Sequence, residues 1–169
     1  MLPRICLGLR LLLESMLKPY VYVACEKVII AKDDVASLIG LFSKIILTVP
    51  PGVEIPLNAV TPKEWVVFSI WDTGPGDERR KYILCTQFLY PDKSQFGETA
   101  KAAINVEPNK RAQMLVQIPG FPIGQVGEYI VRSWIEENEQ RVFGPIEFGI
   151  GLEIVRQEAS QAPVSAPTA

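Results

Sequence analysis

The residues best placed to do chemistry in this chain of 169 residues are carboxylates in turns. Asp33, Asp34, Asp72, Asp77, Glu78, Glu107, Glu137 and Glu139 all fall in short polar connections between apolar runs. Carboxylates gathered on loops suit two chemistries. One is calcium binding, in which six to eight oxygens surround the ion, and here its ligands would come from Asp33, Asp34, Asp72 and Asp77. The other is a glycosidase pair, with carboxyls about 5 Å or about 6.5 to 9.5 Å apart. No loop has the ligand spacing of an EF-hand. Arg79, Arg80, Lys110 and Arg141 stand in the same connections, so the plainer reading is solvated, charge-balanced turn formers.

Other chemistries are excluded by residue type. The chain has no histidine, which removes Ser-His-Asp triads, Cys-His dyads and imidazole metal sites. Its three cysteines, Cys6, Cys25 and Cys85, lack metal-site spacing. Cys25 and Cys85 lie in strand-like runs and read as buried, reduced thiols in a cytoplasmic protein; a bridge between them would need adjacent strands. Gly74-Pro-Gly76 lacks the lysine and the following helix of a phosphate loop, and reads as a turn. A net charge of −2 with scattered basic residues leaves no nucleic-acid footprint. No cofactor is expected.

The elements that must position these loops are short strands. From about Tyr20 to Val155 apolar residues recur at every second position and are then cut off by Pro, Gly or acidic residues. The clearest run sets Ala112, Met114, Val116 and Ile118 against Arg111, Gln113 and Gln117, a period of two that puts each set on its own face. Eight such strands are expected: 20–30, 35–49, 65–72, 81–90, 100–106, 112–118, 127–136 and one from about 142 to 155 interrupted at Gly144-Pro145. The first slips its alternation near Glu26 and Lys27, as a bulge would cause. The second is ambiguous: Val35, Leu38, Ile39 and Phe42 have helical spacing behind an Asp cap, while 45–49 is β-branched, so a bent strand is preferred to a half-helix. The connection 50–64 is too proline-rich for a ladder. The fold expected is an all-β, antiparallel β-sandwich of about eight strands, an immunoglobulin-like or C2-like Greek key. It would span 18–156, after a leader (1–17) and before a disordered Ala/Ser/Pro tail (157–169).

The leader, MLPRICLGLRLLLESML, is interrupted by Arg10 and Glu14. It fits neither a signal peptide nor a membrane span. It is either an amphipathic helix docking on the domain or on a membrane surface, or an upstream extension of a protein starting at Met16.

Strict up-and-down alternation sorts the loops onto two ends. Loops 31–34, 72–80, 107–110 and 136–141 make an acidic end; 50–64, 91–97 and 119–126 make a proline-rich, apolar end. The strand 65–72 is apolar on both faces, Val66, Phe68 and Ile70 on one and Trp65, Val67 and Trp71 on the other, so something must cover the second. On the outward side, Trp65, Val67 and Trp71 together with Ile130 and Trp134 of strand 127–136 would form an exposed apolar patch if the two strands share a sheet, suited to a protein partner or self-association. The alternative is that the 50–64 connection or the N-terminal segment folds over it.

The segments YVYVACEKVIIAKDDVASLIGLFSKI, EWVVFSIW with its Gly-Pro-Gly turn, and FPIGQVGEYIVRSWIEE resemble an uncharacterised bacterial family of small β-sandwich proteins. The resemblance covers about Tyr20 to Val155 and implies a fold and no activity. The expected function is a non-enzymatic interaction or scaffold module of bacterial or phage origin in the cytoplasm. A calcium- or carbohydrate-binding sandwich, or a carboxylate-based hydrolase at the acidic end, is the alternative.

Overall fold

The computed structural model describes residues 17–107 and 110–157; the leader before Leu17 and the tail after Gln157 lie outside the described residues. Among the described residues eleven strands replace the expected eight: β1 (Lys18–Ile30), β2 (Ala36–Leu41), β3 (Lys44–Val49), β4 (Val60–Thr61), β5 (Trp65–Asp72), β6 (Tyr82–Leu89), β7 (Gln95–Ile104), β8 (Ala112–Ile118), β9 (Phe121–Pro122), β10 (Gly127–Glu137) and β11 (Gln140–Arg156). Sheet A has the order β2-β1-β5-β8 and sheet B the order β3-β11-β10-β6-β7. The bent second strand is in fact two, because Phe42 and Ser43 carry the chain from sheet A into sheet B. There β3 runs parallel to β11, an exception to the expected antiparallel plan. The proline-rich connection also makes one short ladder, β4 against β9.

Connections that change sheet between β5 and β6, β7 and β8, and β8 and β10 make a Greek key. Tyr129, near the start of β10, donates its hydroxyl to the carbonyl of Gln125 at 2.7 Å, the tyrosine corner of immunoglobulin-like sandwiches. Between the sheets lies a core that follows from strand parity. Sheet A sends in Ala24, Trp65, Val67, Trp71, Ala112, Met114 and Val116; sheet B sends in Leu84, Phe88, Val131, Ile135, Ile150 and Leu152. Phe88 stacks on Tyr129 with centroids 5.6 Å apart, and Trp65 meets Phe88 edge-on at 5.3 Å. Each inward tryptophan has an acceptor for its indole N–H, Trp65 on the Gly120 carbonyl and Trp71 on Ser69 Oγ, both at 2.9 Å, so neither leaves an unpaired donor inside.

One polar tie crosses this apolar layer. Tyr22 of sheet A donates to Ser133 Oγ of sheet B at 2.7 Å, and Ser133 Oγ lies 2.7 Å from Thr86 Oγ1. Burial holds the Tyr22 phenol well above its ordinary pKa, so it remains a donor. At the apolar end, loop 50–64 closes on loop 119–126: the Ile123 amide donates to the Ala59 carbonyl at 2.9 Å. A Cβ on Gly124 would fall 2.0 Å from the Leu57 carbonyl oxygen, so only glycine fits.

Urea denaturation tests this core. Ser133→Ala, which strands buried hydroxyls, is expected to cost about 1–3 kcal/mol. Trp65→Ala, which opens a cavity among rings, is expected to cost about 3–5 kcal/mol.

Candidate functional site

The tryptophan-bearing patch expected on the outside does not exist as one surface. Trp65, Val67 and Trp71 are 2%, 1% and 0% exposed and form the core. Only Ile130 and Trp134 face outward, and they do so from sheet B. The correction is one of parity. Both faces of β5 are apolar, so its sequence could not say which was inner, and the face bearing the two large indoles packs against sheet B. Trp134 is itself covered: it stands opposite Cys85 in the ladder, Arg141 lies over its ring at 4.9 Å, and its indole N–H donates to Glu136 at 2.8 Å. Burial first, then Glu136, pushes the Cys85 thiol up to about 11. Cys25 and Cys85 are both free and sit in different sheets.

The second face of β5 carries Val66, Phe68 and Ile70, and the register shows what covers it. The first half of β1 pairs with β5 from Lys18 opposite Asp72 to Cys25 opposite Val66. Its second half pairs only with β2, from Cys25 opposite Leu41 to Ile30 opposite Ala36. A straight β1 would carry its tip away from the sandwich, beyond the Val66 level. Instead the Gln113 side-chain amide donates to the Asp34 carbonyl at 2.7 Å, and Gln113 pairs with Ile70 on the far side of β5. The chain therefore turns a corner after Cys25, where Glu26 and Lys27 are both exposed. The β1–β2 hairpin then crosses the outer face of β5 to reach β8. Phe68 lies on that route and is 1% exposed, although it points away from the core.

A strap of two strands has an outer side of its own. Register puts Ile29, Ile39 and Leu41 on one face of the hairpin together with Cys25, Lys27 and Ser37; of these Cys25, at the corner, is buried. The three aliphatics are 46%, 46% and 60% exposed. Among the described residues no strand pairs with the free edge of β2. Unpaired backbone groups beside exposed branched side chains are the features that recruit a further strand or an apolar partner surface. Sequence reasoning missed this face because it requires the corner; the bulge expected near Glu26 and Lys27 is not found there, since the β1–β2 register runs on from Cys25 to Ile30 and the register shift in β1 lies between Pro19 and Val21.

The acidic loops do come together. Lys110 reaches Asp34 at 3.8 Å, Thr73 donates to the Lys110 carbonyl at 2.8 Å, and Arg80 donates through Nε to Glu137 at 2.8 Å. The four proposed calcium ligands are spread among separate structural tasks. Asp77 is buried and accepts from the Tyr82 hydroxyl at 2.6 Å and the Gly74 amide at 2.8 Å. Asp72 pairs with Arg111 at 2.6 Å, Asp34 faces Lys110, and Asp33 accepts from its own turn at Val35. Among the described residues no three acidic or cysteine side chains converge as metal ligands. None of their helices is long and apolar enough to cross a membrane.

No protein-family model matches this chain, and no curated protein matches it.

The Arg80–Glu137 pair ties two loops of the acidic end, with side chains 26% and 18% exposed. Its hydrogen bonds hold the Glu137 carboxyl below the ordinary carboxylate range. A lowered folded-state pKa stabilises above the unfolded value and ceases to do so as pH falls through the folded one. Arg80→Met is therefore expected to cost about 1–2 kcal/mol at neutral pH. The difference from the parent should close below about pH 4, as measured by urea midpoints across pH.

Proposed function

We propose that this chain is a non-enzymatic interaction or scaffold module that binds another protein, or a second copy of itself, through the outer side of the β1–β2 hairpin. The observation that carries the reading is the row Ile29, Ile39 and Leu41, left open to solvent beside an edge of β2 that no strand among the described residues pairs with. A bacterial or phage origin, as in the family that the sequence resembles, and a cytoplasmic setting belong to the same proposal. The carboxylates support an active site less well, since the largest group of them is tied up by Arg80, Lys110, Arg111 and Tyr82.

The test is a double variant, Ile39→Lys with Leu41→Lys, compared with the parent in affinity purification from the host and in light scattering. The parent is expected to bring down a partner or to self-associate. The double variant should lose that association by at least about tenfold, as two buried aliphatic contacts would predict, while its urea midpoint stays close to the parent's. Equal recovery by both proteins, or a monomeric parent without a partner, overturns the proposal.

A further inference from the structure

The hairpin that covers sheet A is fastened at few points. Its ladder to the rest of the sheet ends at Cys25, the one residue of β1 paired with both β2 and β5. Beyond it, β2 pairs with β1 alone among the described residues. At the corner, Gly40 has φ +64°, and a Cβ there would fall 2.6 Å from the Glu26 side chain. The Glu26–Lys63 pair there is half-exposed, and such pairs add little. At the tip, among the described residues, the Gln113–Asp34 hydrogen bond of 2.7 Å is reinforced by the exposed Lys110–Asp34 pair at 3.8 Å. The second polar atom of that amide, Gln113 Oε1, is buried without a partner. Between tip and β8 the packing is incomplete: an open cavity of about 490 Å³ is lined by Ile30, Asp33, Asn105, Glu107, Arg111 and Gln113. Few buried contacts and a sparse set of fastenings define a segment that opens at a free energy below that of global unfolding.

We propose that residues 26–41 form a hinged strap that swings as a unit about Cys25, releasing Gln113 and uncovering the apolar outer face of β5 at Val66 and Phe68 while the sandwich behind it stays folded. This inference does not depend on whether the strap's outer side has a partner, because it concerns the side facing the sheet.

Cys25, buried at the corner where strap and sheet meet, is the probe, since the swing that lifts the strap loosens the packing around it. The full chain is treated with N-ethylmaleimide over a series of sub-denaturing urea concentrations, and labelling is located by peptide mapping. Global unfolding is followed separately by tryptophan fluorescence, which reports the inward Trp65 and Trp71. The free energy of an opening that exposes little surface falls weakly with denaturant. Cys25 labelling is therefore expected to depend on urea with less than about half the global slope. Gln113→Ala is expected to raise the Cys25 labelling rate about tenfold without changing its slope, the effect of losing one hydrogen bond. A Cys25 slope equal to the global one overturns the strap. So does a shallow slope with a rate untouched by both Gln113→Ala and Lys110→Glu, since the opening would then lie elsewhere.

Discussion

The structure turns on a single requirement: β5 is apolar on both faces, so both must be removed from water. Burying a large apolar side chain stabilises by about 1.5–3 kcal/mol, and β5 carries two tryptophans, a phenylalanine and four further branched or small residues in eight positions. One face meets sheet B in the ordinary manner of a sandwich. The other could not be left to solvent, and the chain meets this need with residues adjacent to β5's own neighbour. It bends β1 at Cys25 and lays the rest of that strand, with β2, across the exposed side. Sheet A is thus covered twice, once by a whole sheet and once by a strap of two strands.

Much of this was legible from residue order alone, and the reason is the period of two. Alternation in 112–118 and 127–136 identified β8 and β10 with their inward residues, and the turn residues located both loop clusters. Lys110 joining Asp34 at one end and Gln125 donating to Asp92 at the other confirm the two groupings. What alternation could not resolve was β5, where a pattern apolar in both phases contains no inside. The assignment of Trp65, Val67 and Trp71 to the outside failed there, and with it the five-residue patch. Nor could local pattern reveal that the segment 35–49 changes sheet at Phe42 and Ser43, because that depends on β3 finding β11 far along the chain.

The acidic end shows how a feature that looks chemical can be architectural. A carboxylate is a compact acceptor of several hydrogen bonds, which makes it useful where loops must be held without a large core. Asp77 closes its own turn on the Gly74 amide and receives the Tyr82 hydroxyl. Glu137 and Asp72 take up the guanidinium groups of Arg80 and Arg111. The first two brace one connection internally and the last two join it to other segments, and together they hold this end by polar contacts. The opposite end uses backbone contact and glycine for the same purpose, at Gly120 and Gly124.

The parallel pairing of β3 with β11 sets the order in which the molecule can be completed. Lys44 lies opposite Gly151, a separation of 107 residues (151 − 44), and contacts so distant in sequence are slow to form. During synthesis β3 waits for nearly the whole domain to emerge before it has a neighbour. For that interval the apolar side of β3, with Ile45 and Leu47, and the inner face of β5 are both without their final cover. Such an intermediate is prone to clustering with its neighbours, and the last strand made is the one that ends it.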